Sequence, residues 1–94
     1  MRERLPDRRQ AESLDFSLDG RVWTLTVGRF ANGKIGEIFL NSSKESAIVE
    51  LAQESAIVAS IALQFGCPLE VLQHALAGRD SGPLARALKL LRRA

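Results

Sequence analysis

The 94-residue chain contains one cysteine, one histidine and no tyrosine, and aromatic residues make up 5% of it. Cys67 alone forms no intramolecular disulfide. With His74 it supplies half of the four Cys or His ligands that a structural zinc site ordinarily takes, so no metal is expected. Long apolar runs are also missing. Gln53, Glu54 and Gln64 break the richest stretch before it approaches the roughly 20 residues that cross a bilayer. The opening MRERLPDRRQ lacks the apolar core of a secretory signal, and the expectation is a cytoplasmic chain without a membrane partner. Phosphate-binding glycine patterns are absent as well: Gly28, Gly33 and Gly36 cluster around a hairpin, with no G-x-x-x-x-G-K-[ST] and no G-x-G-x-x-G.

What remains is an ordinary globular composition, 46% hydrophobic and 26% charged, long enough for one domain and one core. The charge is unevenly placed. Residues 1–34 hold seven Lys/Arg against five Asp/Glu, residues 35–78 one against five, and residues 79–94 five against one. A basic end and an acidic middle attract one another within or between chains, and a basic tail also attracts phosphates.

The pattern predicts a βββααα order. Residues 1–12 alternate charges around Leu5 and Pro6 without any period, which marks an N-terminal arm. Leu14, Phe16 and Leu18 alternate with Asp15 and Ser17 as a half-buried strand, and Asp19-Gly20 turns the chain. Arg21–Phe30 is rich in β-branched and aromatic residues, with Trp23, Leu25 and Val27 on one face. Asn32-Gly33 suits a two-residue type I′ loop into a third strand, 34–40. This antiparallel meander needs helices over its apolar face. Asn41, Ser42 or Ser43 is expected to cap a helix over 44–65. Gly66 ends it, Pro68 opens a second helix reaching about Ala77, and a Ser81 or Gly82 cap with Pro83 opens a third. The division read from this is an arm at 1–12, an α+β domain at 13–78 and a basic amphipathic helix at 79–94. Arg86, Lys89, Arg92 and Arg93 lie opposite Leu84, Leu88 and Leu91 on that helix.

The pentapeptide ESAIV occurs at 45–49 and again at 54–58. Nine residues at about 100° each turn a helix through a half revolution beyond whole turns, so Ile48 and Val49 oppose Ile57 and Val58. A helix apolar on two sides is generally buried on two sides, and homo-oligomerisation through it is expected. Its small residues Ala52, Ser55, Ala56, Ala59 and Ser60 are the expected interface, since they let another backbone approach closely.

Chemistry-bearing residues are few. Cys67 and His74 are two helical turns apart, about 10 Å, too far for a nucleophile–base hydrogen bond. Glu50 and Glu54 are helix neighbours without a His or third acid. No catalytic residue is assigned and no cofactor is expected. Glu37 interrupts a strand face read from Ile35 and Phe39. It either pairs with Arg21, Arg29 or a tail cation, or contacts a ligand or second subunit. Arg8, Arg9 and Arg29, with the tail arginines, are the candidate anion ligands, and a nucleotide-like anion is the alternative partner.

LPDRRQ, DGRVWTLTVGRFANGKIGEIFLNSSKESA and AIVASIALQFGCPLE together resemble the TSCPD domain. That family is a small module at the C-terminal side of adenosylcobalamin-dependent ribonucleotide reductases, found also as short separate proteins. The resemblance covers about residues 5–77. Its most specific parts are GEIFL (36–40) and S-x-A-L-Q-F-G-x-P-L-E (60–70), neither of them catalytic. It implies an accessory or binding role related to ribonucleotide reduction, with a separately encoded reductase subunit as a partner; nucleic acid is the alternative that the basic last helix offers. The reductase barrel, its three active-site cysteines, a cobalamin-binding segment and a CxxC tail have no counterpart in the 94 residues, so the chain is not expected to be an enzyme. The loop NSSKESA departs from the family, which commonly has glycine near that helix start.

Overall fold

A computed structural model describes residues 1–91. Strands β1 (Ala11–Leu18), β2 (Arg21–Arg29) and β3 (Ile35–Ser42) form an antiparallel sheet in the order β1-β2-β3. Helices α1 (Ala47–Gln64), α2 (Leu69–Ala75) and α3 (Pro83–Leu90) follow. The βββααα order expected from the pattern is the observed one.

Asp19 and Gly20 both take positive φ, 52° and 77°, so the β1–β2 link is a two-residue turn matched to strand twist. The second link differs from the expected type I′ loop. Gly33 N–H donates to Phe30 O at 2.9 Å and Phe30 N–H to Lys34 O at 2.8 Å, and of the pair Asn32-Gly33 only Gly33 has positive φ. The loop is therefore Ala31-Asn32-Gly33, a tight turn followed by one left-handed glycine. Asn32 instead uses its side-chain oxygen to accept from Lys34 N–H at 2.9 Å.

Register then decides which side chains share a face. Gly28 opposes Glu37 whereas Arg29 opposes Ile35, so Gly36 is one extra residue, a β-bulge. The bulge corrects the sequence reading of β3. Ile35 joins Ile38 and Leu40 on the apolar face with Trp23, Leu25 and Val27, and Glu37 and Phe39 lie on the other face. A Cβ on Gly36 would stand 2.7 Å from the Phe30 ring and 2.8 Å from Leu5, which explains why the extra residue is glycine.

The apolar face is covered by α3 together with Val49, Ala52, Ala56 and Leu63 of α1. Gly82 caps it, Pro83 occupies its first turn, and Ala87, Leu88 and Leu91 enter the cluster containing Trp23, Leu25 and Val27. Leu14, expected to be buried, is half exposed beside a 350 Å³ groove that Leu90 and Leu91 also line. From the last turn of α3, Lys89 Nζ donates back to Asp80 Oδ1 at 2.9 Å and to Arg79 O at 3.1 Å, and this hydrogen bond and the ammonium's charge lower the Asp80 carboxyl below its ordinary value. Arg92 and Arg93 lie outside the described residues.

Helix α1 runs along the outer edge of β3. It starts later than expected, because Asn41 and Ser42 complete β3, and Ser46 is the cap, its Oγ accepting from Val49 N–H. Helix α2 is likewise shorter than expected and has Pro68 at its N-cap position. Alone among the described helices, α1 is long and apolar enough to cross a membrane by length and composition. In this fold one side of it is committed to the sheet.

Candidate functional site

Edge strands expose backbone amides and carbonyls that need partners, and α1 supplies them to β3. Ser60 Oγ accepts from Ile38 N–H at 2.8 Å and donates within reach of Ile38 O at 3.0 Å and Ala56 O at 2.8 Å. One helical turn on, Gln64 Nε2 donates to Gly36 O at 3.0 Å. Such direct contact between helix and strand needs small residues, and Ala52, Ala56 and Ala59 are buried with Ser60 on this inner side. This corrects the expected interface: Ala52, Ala56, Ala59 and Ser60 admit the chain's own sheet, and Ser55, half-buried, donates to Ala52 O at 2.7 Å.

The arm is attached to the same junction. Arg2 Nε donates to Gln64 Oε1 at 2.6 Å and Glu3 N–H to Gln64 O at 2.6 Å. Arg9 pairs with Glu37 through both carboxylate oxygens, Nε to Oε1 and a longer Nη2 contact of 3.5 Å to Oε2, and its Nη1 donates to Pro6 O at 2.7 Å. Glu37 is 8% exposed, and Arg9 is the partner that its burial requires, in place of the expected Arg21, Arg29 or tail cation. A Cβ at Gly28 would fall 2.7 Å from Glu37 Cγ, so any larger residue there forces the Glu37 side chain to move.

The four candidate ligand residues are not gathered into one site. Arg9 and Glu37 line a 370 Å³ cleft under the arm, together with Arg2, Asp7 and Gln64. Arg29 lines a separate 430 Å³ cleft between the β2–β3 loop and the α1–α2 corner, with its Nε on Glu12 at 2.7 Å and Nη1 on Gly33 O at 2.8 Å. Arg8 is exposed and lines neither cleft. Arg9 and Arg29 thus neutralise acids of their own chain. His74 is exposed, and among the described residues no group of three or more His, Cys, Asp or Glu stands ready for a metal ion.

The outer side of α1 is the largest departure from an ordinary soluble surface. Val49 is fully buried, Val58 stands directly opposite it, and around Val58 Ile48, Leu51, Ile57, Ile61 and Phe65 are exposed with it, Leu51 by 65% and Val58 by 68%. Val49 and Val58 show the half-turn opposition expected from the ESAIV repeat, whereas Ile48 and Ile57 are both exposed. A contiguous apolar strip on a helix of 18 residues marks an interaction surface, not scattered surface leucines. Reading the small residues as the interface missed it. The signal was in the sequence, since these positions share one arc of a helical wheel.

Comparison with known proteins assigns the family. The model of the TSCPD domain matches residues 2–90. The chain belongs to the TSCPD domain family. It is 43% identical over 72 residues to the vitamin B12-dependent ribonucleotide reductase of Rhodopirellula baltica, covering 76% of this chain and 7% of that enzyme. It is 41% identical over 70 residues to the enzyme of the same name from Agrobacterium fabrum, covering 73% and 6%. The chain therefore spans under a tenth of the length of these relatives. No solved structure matches. Within the TSCPD fold, the segments that carried the resemblance meet in space: Ile38 of GEIFL exchanges hydrogen bonds with Ser60, and Gly36 accepts one from Gln64, both of SIALQFGCPLE. The family match also takes in the arm and α3, the two elements that cover Glu37 and the apolar sheet face.

Proposed function

We propose that this TSCPD domain is a non-catalytic binding module of ribonucleotide reduction, working in the cytoplasm and acting by self-assembly. The observation that carries the proposal is the apolar outer side of α1. Six large aliphatic and aromatic side chains stand in water on α1 and its C-cap, on a helix whose inner side is already used by the sheet. Burying a large apolar side chain is worth about 1.5–3 kcal/mol, so a strip of this kind is a strong drive to associate. The relatives are named as vitamin B12-dependent ribonucleotide reductases, and the chain corresponds to a small fraction of each. Reductase chemistry accordingly belongs to the rest of their length, and the module's contribution is contact.

Light scattering on the purified chain over a concentration series tests this. A mass above 10.3 kDa that falls on dilution is expected. A strict monomer at several hundred micromolar overturns the proposal. A copurifying reductase subunit would identify the assembly's client.

A further inference from the structure

We infer that a second copy of this chain covers α1 in an antiparallel arrangement, on a two-fold axis at Val58, and that Glu50 and Glu54 select this orientation by reaching Arg2 and Arg4 of the other copy. The inference rests on the self-assembly proposed above and adds its geometry.

At about 100° per residue, Leu51, Val58 and Phe65 lie within about 20° of one line on the outer side of α1. Glu54 lies about 40° and Glu50 about 80° to one flank of that line, with Ile57 and Ile61 beside them. Gln64 lies about 120° to the same flank, where it receives Arg2 from the arm. One flank of the strip is therefore acidic toward the N-terminus of α1 and basic toward its C-terminus. Arg2 is exposed, and beyond its Nε it makes no hydrogen bond among the described residues. Its terminal nitrogens stand ready for a carboxylate.

A two-fold axis perpendicular to α1 at Val58 pairs position 51 with 65 and 54 with 62, and it keeps each flank on its own side. Measured along the helix at about 1.5 Å per residue, Glu54 and Glu50 stand about 6 and 12 Å from the axis, and Gln64 about 9 Å on the other side. The axis thus sets two carboxylates of one copy around the level of the other copy's Arg2, with Arg4, whose Nη2 pairs with the exposed Asp7 of its own chain at 3.0 Å, next along the arm. The same contact forms twice by symmetry, as an isologous interface requires. A parallel pair holds all four carboxylates at one end and both arginine clusters at the other. A membrane is the other occupant an apolar strip would suit, but the acidic flank opposes the anionic lipid surface that amphipathic helices use.

Disulfide mapping in a Cys67→Ser background reads the orientation, because a bridge needs Cα atoms within about 7 Å. Val58→Cys is expected to bridge to itself. Leu51→Cys and Phe65→Cys are expected to bridge in an equal mixture and not singly. Self-bridging of Leu51→Cys shows a parallel pair and overturns the inference while leaving self-assembly intact. Charge reversal is the second arm. Glu50→Arg with Glu54→Arg in one chain, and Arg2→Glu with Arg4→Glu in another, are each expected to weaken self-association about tenfold. Mixing the two restores both junctions and recovers the loss. Association indifferent to these changes overturns the role of the charges, and a wild-type chain that stays monomeric or binds only anionic vesicles overturns the assembly reading itself.

Discussion

Glu37 and Arg9 illustrate how one residue's burial settles another's role. The Glu37 side chain is far less accessible than that of Arg9, so the two truncations are not equivalent. Arg9→Ala leaves a buried carboxylate without its cation and is expected to cost about 1–3 kcal/mol in urea unfolding. Glu37→Gln keeps shape and most hydrogen bonding and is expected to cost less. Equal losses would show that Glu37 is wetter than its packing indicates. Ser60 offers a second test. Its hydroxyl serves both backbone groups of Ile38, so Ser60→Ala strands a buried N–H and is expected to lose about 1–3 kcal/mol, although only one oxygen is removed. Neither partnership was legible in the sequence. Glu37 announced that it needed a cation, but the cation came from an arm with no periodicity to place it, 28 residues earlier in the chain.

At the scale of elements, the order and type of all six were readable because each carries a clean signal, alternation in β2, a left-handed glycine after α1, a proline at the start of α3. What escaped was the offset of single residues. The bulge at Gly36 moves Ile35 and Glu37 to opposite faces, and nothing in KIGEIFL announces an extra residue until the opposing strand is in place. Asn32-Gly33 was read as a whole loop when Ala31 belongs to it too. The small residues of α1 were seen, but assigned to the wrong neighbour. Their true role makes a prediction: Ala56→Leu, on the side facing β3, is expected to push the helix from the strand and lower stability by about 1–3 kcal/mol in thermal unfolding. The entry to α3 responds to pH instead. The Asp80 carboxyl is depressed by its hydrogen bond and attraction to Lys89, so its contribution is present above the ordinary carboxylate pKa and lost as pH falls through the lower folded value. Amide exchange across the segment before α3 is expected to quicken in that acidic range, and Asp80→Asn to remove the pH dependence.

For the whole molecule, the relevant quantity is how stability depends on concentration. If association is coupled to folding, the melting temperature rises with protein concentration by mass action. Val58→Glu, a change at a side chain 68% exposed, is expected to abolish that rise and yield a monomer melting where the dilute wild type melts. A melting temperature independent of concentration in both chains would show that the outer side of α1 contributes nothing to assembly. The two-sided character of this helix was legible from nine-residue spacing alone, whereas the identity of the wet side required the strand it leans on.

The hydrogen bonds from Ser60 and Gln64 have one more effect. With α1 hydrogen-bonded to Gly36 and Ile38 along β3, the edge of the sheet left open is β1. Any extended segment that joins it, from a host polypeptide or a misfolded neighbour, adds at β1, where Glu12 is already paired with Arg29 and the exposed Asp15 favours a basic strand over an acidic one.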